Sequence, residues 1–211
     1  MEILQDRRVA GQKLAAELTR YADSDPIVLG MPRGGVVVAY EIARSLKAPL
    51  DIIVTRKIAS PISPEYAIGA IAPGDIAVFN NQAIAAMGVS ATVTNLVAQE
   101  KEEIARRIKA YRGKRAPLEL ESRVVIIADD GVATGQTALV AMRAVRKMQP
   151  QKIIFACGVC AADSLTMLQQ EADEVVCLGV PTNFYAVGQW YRDFSQTTDE
   201  EVVQLLGLAE K

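Results

Sequence analysis

Histidine is absent from all 211 residues, which excludes Ser-His-Asp triads, histidine general bases and most zinc sites. Any proton transfer falls to other groups. Cysteine is scarce: Cys157, Cys160 and Cys177 are an odd number in a chain without a secretion signal, which fits reduced thiols better than a disulfide framework. No stretch approaches the ~18 to 20 apolar residues of a membrane span, and the opening MEILQDRRVAGQKL lacks a charged segment followed by an apolar run. A cytoplasmic chain without a membrane partner is expected. Neither sign of charge dominates: 23 basic and 25 acidic residues give a net charge of -2, with no long single-sign block. That argues against a nucleic-acid footprint and leaves a small molecule as the expected partner.

Half of the residues are apolar, enough for an ordinary core. Five β-branched runs have the pattern of buried parallel strands: PIVLGM (26–31), DIIVTR (51–56), RVVIIA (123–128), KIIFAC (152–157) and EVVCLGV (174–180). Helical patterns lie between several of them, at 36–46, 136–148 and 163–171, and the alternation predicts an α/β fold. Residues 58–120 form a long excursion with short strand candidates at AIGAI and DIAVF. Its second half reads as a helix with Val93, Val97, Ile104, Ile108 and Tyr111 on one face; it is a candidate to cover the site or pair subunits. The aromatic-rich segment PTNFYAVGQWYRDFSQ follows the fifth strand, and Thr198-Asp199-Glu200-Glu201 has the spacing of a helix capping box. Without repeats or a flexible linker, one domain over 1–211 is expected.

The richest segment is VVIIADDGVATGQTAL, from Val124 to Leu139. A strand reaches Asp129 and Asp130, then the chain runs through Gly131, Val132, Ala133, Thr134, Gly135, Gln136 and Thr137 into a helix. Such a turn gathers free backbone N–H groups at the positive end of a helix dipole, which suits a phosphate dianion. Thr134 and Thr137 add hydroxyl donors, while Gly131 and Gly135 let the backbone approach a ligand closely. Carboxylates at this end of an open α/β sheet lie where ligands bind, and accept hydrogen bonds from sugar hydroxyls or metal-bound water. Adjacent buried acids repel, and ribose hydroxyls and Mg²⁺ would compensate them. A strand end followed by a capped helix accounts for either feature alone but not for both together. The spacings G-x-G-x-x-G and G-x-x-x-x-G-K-[ST] are missing.

Hydrophobic strand, Asp-Asp, two residues, Ala-Thr-Gly, one residue, Thr resembles the phosphoribosyl pyrophosphate motif of type I phosphoribosyltransferases. The resemblance implies a parallel-sheet fold with helices on both faces and a small hood, here 181–211. It also implies that Asp129 and Asp130 hold ribose hydroxyls while the loop Ala133–Thr137 wraps the 5′-phosphate. Gly30-Met31-Pro32-Arg33-Gly34-Gly35, running into a helix, resembles the family's pyrophosphate loop. Arg33 adds a charge, and Arg56 and Lys57, at the end of the second strand, are expected to converge on the same anion. The segment SPEYAIGAI resembles the mobile loop of relatives, making Glu65 and Tyr66 further candidates. Phe184, Val187, Gly188 and Tyr191 resemble a purine-type hood whose walls hold a planar base. Asp193 matches a later acidic residue that binds metal-bound water or base, so Asp129, Asp130 and Asp193 are the expected Mg²⁺ ligands.

The implied reaction is attack of a nucleobase-like nitrogen on C1 of phosphoribosyl pyrophosphate, with pyrophosphate leaving, in an expected homodimer. The base stays open. Ala133 and Asn183 stand where 6-oxopurine enzymes carry an aspartate and a lysine, whereas Ala133 matches adenine and uracil enzymes. A regulatory protein that binds phosphoribosyl pyrophosphate or a nucleotide without turnover is the alternative. The spacing Cys157-Gly158-Val159-Cys160 also admits a thiol redox motif, but it falls at a strand end and not at the helix N-terminus such chemistry needs.

Overall fold

The computed structural model describes residues 2–64 and 66–209. Helix α1 (Arg7–Leu18), capped by the Asp6 carboxylate accepting from the Val9 N–H at 2.8 Å, leads through a 3₁₀ turn (Thr19–Ser24) into strand β1 (Ile27–Gly30). Then come α2 (Gly34–Leu46) and β2 (Leu50–Ile52), followed by an antiparallel hairpin sheet of β3 (Arg56–Ala59), β4 (Ala67–Ala72) and β5 (Ile76–Phe79). Helices α3 (Asn81–Met87) and α4 (Val93–Arg112) complete the excursion. The chain returns through β6 (Val124–Val132), α5 (Gln136–Arg146), β7 (Lys152–Cys160), α6 (Ala162–Glu171), β8 (Glu174–Cys177) and α7 (Asp199–Leu208).

The main sheet is parallel, ordered β2-β1-β6-β7-β8. Its central strand β6 is buried from Val124 to Ala128, the continuous apolar run of a strand covered on both faces. Val124, Ile126 and Ala128 face a core with α1, α2 and α7, whereas Val125 and Ile127 face one with α5. β1 is followed by β2 on one side and β6 pairs on the other, so the strand order reverses between β1 and β6. That reversal opens a crevice at the carboxyl ends of these two strands.

Two of the expected boundaries that move bear on the site. The run 51–56 is split: Ile53 donates its N–H to Gly30 O at 3.1 Å, and by Arg56 the chain has joined the hairpin sheet opposite Ile71. A β-branched run suits either sheet, so periodicity cannot mark the change. β6 continues past Ala128, with Asp129 in register with Cys157 and Val132 with Cys160. The acid pair therefore lies within the paired strand, and the loop before α5 shortens to Ala133-Thr134-Gly135.

Candidate active site

The β1–α2 turn packs against the end of β6 at the crevice. A Cβ on Gly35 would lie 2.7 Å from Ala128 O and 2.9 Å from Asp129 Cα, and one on Gly34 would lie 2.0 Å from Asp130 Oδ2. Only glycine lets the first turn sit directly against the acid pair, which is distant in sequence. Gly135, at φ +71, caps α5 in the left-handed region. Ser164 of α6 donates to Ala133 O at 2.6 Å and ties the loop down from below. Ala133 and Thr134 remain exposed, so the start of α5 opens outward.

The two aspartates differ in their company. Asp129 Oδ1 accepts the Asp130 N–H at 2.8 Å. Burial pushes the Asp129 carboxyl well above the usual carboxylate range, and the charge of Asp130 pushes it the same way. Burial also raises Asp130, but the Nε–H of Arg7 opposes this by donating to Asp130 Oδ2 at 2.7 Å. Arg7 is a site neighbour that the sequence does not announce. It lies in the first turn of α1, 123 residues away, and no spacing links the two.

The cations are dispersed among acidic partners. Arg33 stands before α2 and reaches the Asp199 carboxylate at 3.6 Å; the Tyr111 hydroxyl donates to the same carboxylate at 2.7 Å. Burial and this bond push the Tyr111 phenol up to about 12. Arg56 donates to Glu100 of α4 at 2.6 Å. Arg56 and Lys57 thus open the hairpin strand β3, and the expectation that they end a parallel strand is corrected. Tyr66 is exposed and accepts from the Asn80 amide at 3.4 Å; Glu65 lies outside the described residues.

The hood is partly a satellite core. Leu4, Ala10, Val159 and Tyr191 are buried together, with Phe184, Val187, Trp190 and Phe194 packed against them. Val187 backs onto Gly131, where a Cβ would approach it to 2.5 Å. Tyr191 is no exposed wall for a base: its buried hydroxyl donates to the carbonyl of Asp130 and steadies the strand end. Asp193 is exposed and accepts the Ser195 N–H at 2.9 Å, a bond that holds its carboxyl below the usual range. Among the described residues no three His, Cys, Asp or Glu side chains gather as a metal site. The expected set Asp129, Asp130 and Asp193 is therefore not assembled as one cluster.

The cysteines are free. Cys157 and Cys160 are both buried within β7, and contacts with Cys160 and Cys177, together with burial, push the Cys157 thiol up. An inert thiol in a strand does not fit a C-x-x-C redox motif. A cleft of about 890 Å³ lies near the amino ends of β1 and β2, lined by Lys47, Leu50, Arg115 and Leu208, away from the acid pair. No helix among the described residues is long and apolar enough to cross a membrane.

Residues 2–195 match the family model of the phosphoribosyl transferase domain. Two Mycobacterium tuberculosis proteins, provisionally named phosphoribosyl transferases, are 40% identical over 212 residues, covering 100% of this chain and 48% of theirs. The chain thus spans about half the length of the curated relatives it matches. The crystal structure of TT1426 from Thermus thermophilus superposes with a TM-score of 0.80 at 37% identity, covering 98% of both chains. A Neisseria gonorrhoeae hypothetical protein with bound ppGpp shares the fold alone, at a TM-score of 0.51 and 10% identity over 99% of this chain and 97% of that one. The sheet order, the acid pair and these matches agree: the chain belongs to the phosphoribosyl transferase domain family, as a type I member.

Proposed function

We propose that the protein transfers the 5-phosphoribosyl group from phosphoribosyl pyrophosphate to a nitrogen of a nucleobase-like acceptor and releases pyrophosphate. The observation that carries this reading is the seating of Gly34 and Gly35 directly on Asp129 and Asp130. It sets two turns with anion-binding potential on either side of one pair of carboxylates, the layout a sugar bearing phosphate at one end and pyrophosphate at the other requires.

In this reading Asp129 and Asp130 accept hydrogen bonds from the ribose hydroxyls. Backbone N–H groups of Ala133, Thr134, Gly135, Gln136 and Thr137, with the two threonine hydroxyls, surround the 5′-phosphate. Arg33 and the N–H groups of Gly34 and Gly35 receive the pyrophosphate; Arg56 and Lys57 add charge once Arg56 exchanges Glu100 for the ligand. Phe184 and Val187 border the acceptor. The acceptor nitrogen forms a bond to C1 as the C1–O bond breaks, the electron pair leaves with pyrophosphate, and the acceptor's proton passes to solvent. Catalysis is then positional and electrostatic, without a histidine base.

Mg²⁺ fits the donor chemistry. Asp129 is a half-buried carboxylate pushed toward protonation, a state that a cation or its bound water would relieve. Asp129 and Asp130 would hold such an ion through water or ribose oxygens, and the ion would neutralise charge on the pyrophosphate.

Incubation with Mg²⁺, phosphoribosyl pyrophosphate and a panel of nucleobases, recording pyrophosphate release and thermal shift, tests the reading. Release dependent on one base is the expected outcome. Stabilisation without release on any base would indicate a binding protein, and no response to the ligand would refute both.

A further inference from the structure

The segment before α1 runs alongside the hood. Leu4 N–H donates to Trp190 O, Arg192 N–H to Leu4 O, and Asp193 N–H to Gln5 O, each at 2.9 Å. Leu4 is buried in the satellite core, which fixes where the chain enters α1. At that point Arg7 turns inward with its side chain 12% exposed. Its Nε donates to Asp130 Oδ2 at 2.7 Å, another guanidinium nitrogen donates to Ser195 O at 2.7 Å, and the plane lies 3.9 Å from the Phe194 ring centroid. A Cβ on Gly34 would meet both Asp130 Oδ2 and, at 2.6 Å, Arg7 Nε. The guanidinium is thus held on three sides and touches both the acid pair and the β1–α2 turn.

We infer that Arg7 is a positioning residue of the phosphoribosyl site: it orients the Asp130 carboxylate toward ribose hydroxyls and couples the N-terminal segment and hood to sugar binding. The inference rests on the reading above. A planar fork suits the task, because Nε serves the carboxylate while a terminal nitrogen anchors the side chain to the hood backbone; a lysine ammonium offers charge without that fork. The partially buried pair costs desolvation, and breaking it leaves a carboxylate uncompensated beside another. A purely structural tie between α1 and β6 has no reason to distinguish a sugar phosphate from phosphate alone. A positioning residue acting through Asp130 does.

Calorimetric titration of wild type, Arg7→Met and Arg7→Lys with ribose 5-phosphate and, separately, inorganic phosphate makes that distinction. Arg7→Met should weaken ribose 5-phosphate about tenfold and leave inorganic phosphate unchanged, with Arg7→Lys intermediate for the sugar phosphate only. In an Asp130→Asn background Arg7→Met should change nothing further. Should Arg7→Met not fold, Arg7→Lys carries the comparison with the same two ligands. Equal affinity for ribose 5-phosphate in wild type and the Arg7 variants, or parallel loss of both ligands, overturns the inference alone. Failure of wild type to bind ribose 5-phosphate overturns the phosphoribosyl reading and this inference with it.

Discussion

The turn between β1 and α2 leaves no room at its glycines, whereas the turn between β6 and α5 stays open at Ala133 and Thr134. At Gly35 an added methyl would strike the backbone of β6, 2.7 Å from Ala128 O. At Gly135 the nearest atom, at 2.2 Å, is the Met167 terminal methyl, the movable end of a flexible side chain. The first turn is thus a wall set by backbone packing, and the second is a receiver whose shape rests on one left-handed residue. Substitutions should therefore damage the first through stability and the second through binding.

Gly35→Ala should have the largest effect, a loss of about 3 kcal/mol measured by denaturant unfolding, because neither strand nor helix can retreat. A cost near zero would mean that the β1–α2 turn does not pack against β6. Asp129→Asn should stabilise the ligand-free protein at neutral pH while removing phosphoribosyl pyrophosphate binding. The sign follows from the raised carboxyl: a group that holds its proton more tightly folded than unfolded loses stability as pH rises from the unfolded to the folded pKa. The stability gain of the asparagine should accordingly vanish in acid, and a pH-independent gain would contradict the assignment. Gly135→Ala should cost about 1 kcal/mol for the left-handed conformation, with ligand affinity falling more than stability. Thr134→Ala, exposed and outside every core cluster, should leave unfolding unchanged and weaken phosphoribosyl pyrophosphate only several-fold, about 1 kcal/mol for one hydroxyl donor.

The same contrast separates what the sequence discloses from what it hides. The run from Val124 to Thr137 is legible because a central parallel strand must be apolar throughout, so two acids at its end stand out, and because a glycine and two threonines mark the helix start. The helix over Val93–Arg112 is legible from its one-sided apolar pattern. Arg7 is not, since an arginine in a first helical turn resembles any solvated charge until the fold brings it to Asp130. Nor is the role of Tyr191: a tyrosine among aromatics suits a base-stacking wall and a buried donor equally, and only its contact with the Asp130 carbonyl decides. The pairing of Arg56 with Glu100 depends on where the chain leaves the main sheet, after Ile53, and hydrophobic periodicity does not change there.

The central claim is that both turns serve one phosphoribosyl pyrophosphate site centred on Asp129 and Asp130. Calorimetric titration of wild type and of the Asp129→Asn plus Asp130→Asn variant with phosphoribosyl pyrophosphate and Mg²⁺ tests it most directly. Saturable binding in wild type, lost in a variant that still unfolds cooperatively, is the expected result; wild-type affinity in the folded variant would contradict it.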